Sequence, residues 1–394
     1  MTEMEKATDL RALEKAYRKT MQGKRGKSEA IRFALSPMEG LCYLKWMMEN
    51  GTYQMGHYTQ FEVRRPVLRE VKTCAFRDKI VLSTLCKNVL WEKIEPHLID
   101  DNYASRKGFG QHMALDKLEK YMRAYYINHG TEGYVLRIDV RKFFYNLSHD
   151  AIAADMRRYG FDDWTIWMCC QILRSSHHSK KQGYYTVDAA GRCRIVFCDK
   201  AGIPELEIGS PIGNESSQVF AVQYANDVDH YIKDQQGCKY YGRYMDDSYI
   251  IHHDKAYLEK LLEDLRKLYG ERGLELNQKT QIYPLKNGVN FLGMHLYLTE
   301  TGKVIRRLRP KNVQYQRIHI RENAEAVADG RMTEESYWKR FEAMDAHNAH
   351  ADAKSLRRQL KKYAEEALKN AYSRKQRKLG EVAPGIDDLP RGKG

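Results

Sequence analysis

Three stretches of this chain predict an α+β fold centred on a four-stranded antiparallel sheet with helices on one face. Tyr134-Val135-Leu136-Arg137-Ile138-Asp139-Val140 is a β-rich run with one carboxylate near its end. Residues 239–243 and 248–252 are strand-like, and Tyr244-Met245-Asp246-Asp247 between them reads as a hairpin tip. Leu258, Leu261, Leu262, Leu265 and Tyr269 fall on one face of a helix that Gly270 and Gly273 end. Strands and crossover helices in this order give a split β-α-β arrangement.

In chain order, residues 1–60 alternate helical patterns with basic runs such as Lys24-Arg25-Gly26-Lys27, without a boundary or repeat. Residues 61–71 read as cation-rich strands broken by Pro66, and Cys74 to Lys79 opens a helix through Leu90. Tyr103 to His112 is a glycine-spaced basic turn leading into a helix from near Met113, and amides at a helix start favour phosphate. After strand 134–140 come a helix capped by Ser148 and stopped by Gly160, a helix from Ser216 to Ile232, the hairpin, the leucine-faced helix and a last strand at Leu274-Glu275-Leu276. Beyond residue 303 the pattern turns helical and basic, with a helix over Leu356 to Tyr372. Past Ser373 the composition predicts a disordered tail.

Adjacent carboxylates at Asp246 and Asp247 repel each other, and a divalent cation offsets the repulsion by drawing both pKa values down. Asp139 brought beside them completes an all-oxygen site suited to two Mg²⁺ ions, with Mn²⁺ as a substitute, for in-line phosphoryl transfer. In a purely structural arrangement Asp139 pairs instead with Arg137 or Arg141.

Asp139 with Phe144 five positions on, Gly209-Ser210-Pro211-Ile212-Gly213-Asn214-Glu215-Ser216-Ser217-Gln218 and the Tyr-Met-Asp-Asp tip resemble, in order and spacing, a reverse transcriptase over residues 60–300. The resemblance implies a right-hand polymerase, with an N-terminal region and fingers in 1–133, a palm in 134–300 carrying an insertion at 175–207, and a helical basic thumb in 301–372 before the 373–394 tail. It implies an RNA-directed DNA polymerase, a nucleotidyltransferase that binds template RNA, the primer/cDNA duplex and dNTPs. Asp139 and Asp246 then bridge the metals with the Val140 carbonyl, and Asp247 supports them. Lys279 matches a lysine that protonates pyrophosphate. Arg69, Lys72 and Arg77 match cations that grip the triphosphate. Phe144 occupies the place of an aromatic gate against a ribose 2′-hydroxyl, with Phe143 as the neighbour that competes for that face. Arg106 and Lys107 lie in a second fingers motif, Tyr244 and Met245 at the hairpin, and Gly293 of Phe291-Leu292-Gly293-Met294 in a primer-grip turn. Arg306, Arg307 and Arg309 belong to the basic segment that clasps duplex phosphates.

Composition agrees. The chain has 394 residues, enough for two or three packed subdomains. A net charge of +14 favours a polyanionic partner, and 27 Tyr residues interleaved with cations suit base stacking. No apolar run reaches membrane-spanning length and no signal peptide leads the chain, so a cytoplasmic protein with no membrane partner is expected. The 8 Cys are scattered without a CxxC pair, which argues against a disulfide framework. His177, His178, Cys193 and Cys198 come near one another, but the Cys spacing is too long for a zinc knuckle.

Within the family, Ile212-Gly213-Asn214-Glu215-Ser216-Ser217-Gln218 resembles the diversity-generating retroelement group, in which the residues matching Ile212 and Gln218 flank the nascent base pair. That likeness implies copying of a template-repeat RNA with errors at template adenines and a small basic accessory protein. Asp345-Ala346-His347-Asn348-Ala349-His350 has Ala-His where that group has Gly-His. The alternative is an antiphage-defence or retron-type enzyme with a dedicated noncoding RNA. A reading from another class is a non-catalytic RNA-binding scaffold, for which three converging carboxylates serve no purpose.

Overall fold

The computed structural model describes residues 1–63, 69–175, 184–187, 193–196 and 208–381. The chain forms two compact units, 1–118 with 133–283 and 119–132 with 284–394.

The first unit opens with helices α1 (Glu3–Thr8), α2 (Leu10–Met21), α3 (Ser28–Leu35) and α4 (Pro37–Glu49). Thr2 and Asp9 cap the first two through side-chain oxygens that accept from Glu5 and Ala12 amides. These helices share one core with α5 (Phe76–Leu85), where the rings of Tyr17, Phe33 and Phe76 lie 5.5–6.2 Å apart. β1 (Thr59–Val63) pairs antiparallel with β2 (Arg69–Thr73), the strands expected around Pro66, which lies outside the described residues. α5 continues through a wide turn at Cys86–Leu90 into α6 (Trp91–Ile94), and the glycine-spaced turn leads into α7 (Gln111–His129).

β3 (Tyr134–Asp139) is followed by α8 (His149–Arg158), capped by the Ser148 hydroxyl, and α9 (Asp163–Arg174), capped by Asp162. Gly160 stops α8 in the left-handed conformation, as its place in the sequence predicts. β4 (Tyr184–Val187) and β5 (Cys193–Val196) pair with each other within the expected insertion, most of which lies outside the described residues. The single helix expected from Ser216 to Ile232 is two helices, α10 (Glu215–Tyr224) and α11 (Asn226–His230), broken at Ala225. Asn226, just past the break, donates to the His97 carbonyl at 2.9 Å.

β6 (Tyr240–Tyr244) and β7 (Asp247–His252) form the hairpin, and α12 (Lys255–Glu271) is the leucine-faced helix. Leu258, Leu261, Leu265 and Tyr269 are buried and Leu262 partly so; Gly270 lies inside the helix while Gly273, at φ +72°, ends it. The sheet runs β6-β7-β3-β8 with β8 at Gln281–Pro284. The fourth strand therefore lies later than Leu274-Glu275-Leu276, which contributes only a bridge between Leu276 and Val140.

In the second unit, β9 (Val289–Phe291), β10 (Met294–Leu298) and β11 (Val304–Leu308) form a sheet in the order β11-β10-β9. The basic run at 306–308 is thus strand, not helix: alternation of Val304, Arg306 and Leu308 inward with Ile305 and Arg307 outward fits a period of two. α13 (Pro310–Ala328), α14 (Glu334–Asn348) and α15 (Lys354–Glu381) follow. They close on a core that includes Ile320, Ala324, Tyr337, Phe341, Leu360 and Ala364. α15 continues past Ser373 to Glu381, so this part of the expected tail is helical; 382–394 lie outside the described residues.

Candidate active site

The carboxylates converge at one end of the four-stranded sheet. Antiparallel register sets Asp139 directly opposite Asp247, and the Val140 amide donates to the Asp246 carbonyl at 3.3 Å. Met245 and Asp246 form a two-residue tip between the paired Tyr244 and Asp247. Met245 adopts φ +57°, a left-handed conformation that a hairpin of this kind normally gives to glycine. Such strain persists only where the surroundings hold it in place.

Of the two structural partners considered for Asp139, Arg137 goes elsewhere: its Nε and Nη2 donate to the two Asp247 oxygens, each at 3.2 Å. Arg141 pairs with Glu275 at 3.0 Å. The Asp139 carboxylate carries no hydrogen bond or ion pair among the described residues, while its backbone is fixed on both sides. Its amide donates to Thr280 Oγ1 at 3.1 Å, and its carbonyl accepts from the Asn277 amide at 2.7 Å. Burial pushes the Asp247 carboxyl up to about 6; Arg137 opposes the rise, and the nearby Asp246 and Asp139 add to it.

A buried ion pair lies beneath the tip. Arg243 is 1% exposed and Asp229 0%. Arg243 Nε and Nη2 donate to Asp229 at 2.7 and 2.5 Å, Nη2 also to the Val222 carbonyl at 3.0 Å, and Nη1 to the Met245 carbonyl at 3.1 Å. Tyr241, on the same strand face two residues earlier, donates its hydroxyl to Asp229 at 2.5 Å. Between them, Gly242 leaves room for the ring of Tyr249, whose hydroxyl would lie 2.6 Å from an added Cβ. Sequence reasoning missed Arg243 and Asp229. The available signal was a lone cation in a strand otherwise of Tyr and Gly, with Tyr241 in phase with it.

Comparison with protein families matches residues 68–296, more than half of the chain, to the reverse transcriptase (RNA-dependent DNA polymerase) model. The chain belongs to the reverse transcriptase family. Its right-hand polymerase fold therefore has the four-stranded sheet and its helices as the palm. No curated protein matches it. Similar solved structures include telomerase from Candida albicans with the TWJ fragment of telomeric RNA, at 10% identity and a TM-score of 0.41, covering 86% of this chain and 66% of that one. Apo telomerase from Candida tropicalis matches at 12% identity and a TM-score of 0.44, covering 81% and 58%. This reverse transcriptase-family chain spans less than two thirds of the length of either telomerase.

The remaining candidates of this reverse transcriptase-family chain separate into those near the carboxylates, those tied into the fold and those on other surfaces. Lys279 is exposed on the turn whose Asn277 amide reaches the Asp139 carbonyl, so it is tied to the carboxylate end of the sheet. Phe143 is buried at 3% exposure and Phe144 only partly, so Phe144 is the more accessible of the two rings. The Phe144 carbonyl accepts from the Ser210 amide at 2.7 Å, which anchors the 209–217 segment beside Phe144, and Ser217 Oγ donates to the Pro211 carbonyl at 2.7 Å within that segment. Ile212 accepts from the Lys72 amide at 3.0 Å, and a Cβ on the neighbouring Gly213 would collide with the Lys72 carbonyl. Gln218 is exposed and accepts from Ser105 Oγ at 2.6 Å, where Ser105 itself has φ +57°. Tyr244 and Met245 are half-buried on the hairpin, and Lys107 is exposed.

Two arginines read from the sequence as nucleic-acid contacts are instead held by the fold. Arg106 donates to the carbonyls of Ile99 and Asn102 at 2.9 and 3.1 Å and stacks on Phe109, with its side chain 7% exposed. Arg306 reaches Glu119 at 3.0 Å and the His350 carbonyl at 3.2 Å from the inner side of β11. Arg77 is shared: it donates to the Gln54 carbonyl at 3.2 Å and lies 3.4 Å from the fully buried Asp78. Arg69 begins β2 opposite Val63; its side chain lies outside the described residues. Gly293 forms the β9–β10 turn with Leu292, both at positive φ, and its carbonyl accepts from Asn312 at 2.9 Å. Arg307 and Arg309 stand on the outer side of the sheet and at its end. His177, His178, Cys198 and the Cys193 side chain lie outside the described residues. Among the described residues no helix is long and apolar enough to cross a membrane, and no three His, Cys, Asp or Glu side chains cluster as a metal site by themselves.

Proposed function

We propose that the chain extends a primer along an RNA template by phosphoryl transfer from dNTPs. The observation that carries this reading is the register that sets Asp139 opposite Asp247 with Asp246 at the adjoining tip, joining two motifs distant in sequence. Asp139 and Asp246, with the Val140 carbonyl, are the oxygen donors that would hold Mg²⁺. The residues fit that role, because the half-buried Asp139 carboxylate, which makes no hydrogen bond or ion pair among the described residues, is an available hard ligand. Mg²⁺ sites commonly combine one or two carboxylates with substrate phosphates, which suits Asp139 and Asp246 in this role. When bound, such ions lower the pKa of the attacking hydroxyl and compensate charge on the leaving pyrophosphate.

The chain's own residues supply position. Arg137 fixes Asp247 behind the tip, and Arg243 holds the Met245 carbonyl. Phe144 offers a wall against a 2′-hydroxyl, and Lys279 a proton for the pyrophosphate. Lys72, Arg77 and Arg69 belong to the segment that meets the triphosphate. Lys107, Arg307 and Arg309 offer cations for phosphates.

The Ile212 to Gln218 segment favours the diversity-generating group, with a template-repeat RNA and a small basic accessory protein, over a retron-type enzyme. Primer extension on an RNA template with dNTPs and Mg²⁺, comparing wild type with Asp246→Asn, tests both levels. Full-length cDNA from wild type alone is expected, with errors concentrated opposite template adenine. Evenly distributed errors overturn the subgroup, and absence of extension with neighbouring RNA and protein supplied overturns the polymerase.

A further inference from the structure

Helix α4 is apolar on two sides. Leu41, Leu44, Met47 and Met48 are buried in the core of the first unit, while Met38, Cys42, Tyr43 and Trp46 are exposed. Met38, Cys42 and Trp46 recur every four residues and so share one outward stripe. Beside it the Tyr43 ring stacks on Trp46, with centroids 6.1 Å apart and planes 11° apart. Helix α3 extends the patch with Ile31 and Leu35, again four residues apart. Among the described residues thirteen large apolar side chains are exposed, and five of them fall within 31–46, where they are 49–78% exposed. A helix apolar all round belongs inside an assembly, and apolar exposure concentrated in this way marks an interaction surface.

The charges on the same two helices narrow what covers it. α3 and α4 carry five charged residues. Glu29 accepts from the Phe76 amide at 2.8 Å, and Lys45 pairs with Glu49. The remaining two are Arg32 and Glu39, both exposed and without a hydrogen bond or ion pair among the described residues. Arg32 lies about one helical turn before Leu35, and Glu39 directly follows Met38, so one charge of each sign flanks the apolar centre. We propose that this α3–α4 face is a two-fold interface with a second copy of the chain, in which Arg32 meets the partner's Glu39 and the two apolar stripes cover each other. An isologous interface has to be self-complementary, and one open charge of each sign beside an apolar stripe meets that condition. An anionic lipid surface would take Arg32 and repel Glu39. A wholly acidic or wholly basic partner would leave one of the two covered without a counter-charge. Trp46 and Tyr43 supply the aromatic anchors that carry most of the energy in such contacts. None of these residues belongs to the carboxylate site, so association and polymerisation are read separately.

Sedimentation velocity of the full chain over a micromolar concentration series reads the association, with the 46.1 kDa chain moving toward twice that mass. Trp46→Gln is expected to weaken the dimer at least about tenfold. Arg32→Glu and Glu39→Arg are each expected to weaken it about tenfold by setting like charges face to face. An equimolar mixture of these two variants is expected to regain wild-type affinity, because each supplies the charge the other has lost. Thermal unfolding checks that the three variants stay folded. A wild-type chain that remains monomeric overturns the inference, and if it pellets with phosphatidylglycerol vesicles the face belongs to a lipid surface instead. Wild-type association in all three variants overturns it as well, as does a loss in both charge variants that their mixture fails to restore.

Discussion

Replacing Arg243 with Met removes every donor that this guanidinium places beneath the Tyr244–Asp247 hairpin. In the wild type two of its nitrogens reach Asp229, one of them also reaches the Val222 carbonyl, and a third holds the Met245 carbonyl. Both partners of the ion pair are fully buried, so the substitution leaves the Asp229 carboxylate in an apolar interior with the Tyr241 hydroxyl as its main remaining donor. Losing one partner of such a pair costs about 3–5 kcal/mol. Against a typical total of roughly 5–15 kcal/mol, the single variant is marginal, with a clearly lowered urea midpoint. The double variant Arg243→Met/Asp229→Leu separates stability from positioning. A well-packed apolar replacement of a buried pair is often neutral, so most of the stability returns, less about 1 kcal/mol for the orphaned Tyr241 hydroxyl. The donor to Met245 does not return. Primer extension by the refolded double variant is therefore expected to stay at least tenfold below wild type. A single variant losing under about 1 kcal/mol, or a stable double variant with wild-type extension, would refute the argument that Arg243 sets the tip.

Three further outcomes follow from the site. Asp139→Asn is expected to abolish nucleotide incorporation while leaving the thermal midpoint within a few degrees, because among the described residues the carboxylate makes no hydrogen bond or ion pair that the amide breaks; circular dichroism during a melt and a single-turnover assay check both halves. Asp247 titrates near 6 in the folded chain, above its ordinary 3.8, so its contribution to stability is full below pH 4 and is lost as pH rises through 6. That amounts to about 3 kcal/mol. In metal-free buffer, urea unfolding of wild type against Asp247→Asn should show a stability difference that changes across this window and is flat above pH 7. Arg306→Gln is expected to lower stability by about 2–4 kcal/mol while leaving RNA salt dependence unchanged, since its guanidinium is committed to Glu119 and the His350 carbonyl; denaturation and a salt titration distinguish this from a phosphate contact.

The elements that matter most for the site were legible because their signals are local. Ser148 caps a helix with its own hydroxyl, Leu258 to Tyr269 repeat at helical spacing, and Tyr244 to Asp247 turn a hairpin between two strands. Readings failed where a long-range partner decided the outcome. Leu274-Glu275-Leu276 has strand composition, yet only Leu276 bridges Val140, and the sheet takes its fourth strand from Gln281–Pro284. Arg106 and Arg306 look like solvent cations in sequence; the carbonyls of Ile99 and Asn102, and Glu119, are what bury them. Asp139 shows the same limit from the other side, since the sequence offered two nearby arginines as partners and cross-strand geometry gives one of them to Asp247.

Arg306 and Arg307 are neighbours in sequence and opposites in space, because a strand turns successive side chains to opposite faces. This makes the β10–β11 segment a parity-checked stretch of the gene. Losing or gaining one codon within 304–308 exchanges the roles of the two arginines, exposing Val304 and Leu308 and driving an unpaired guanidinium inward. Two codons preserve the alternation and cost only strand length. Viable insertions and deletions across this hairpin are therefore expected in even numbers, an arithmetic constraint that a deep mutational scan would reveal even where every individual substitution is tolerated.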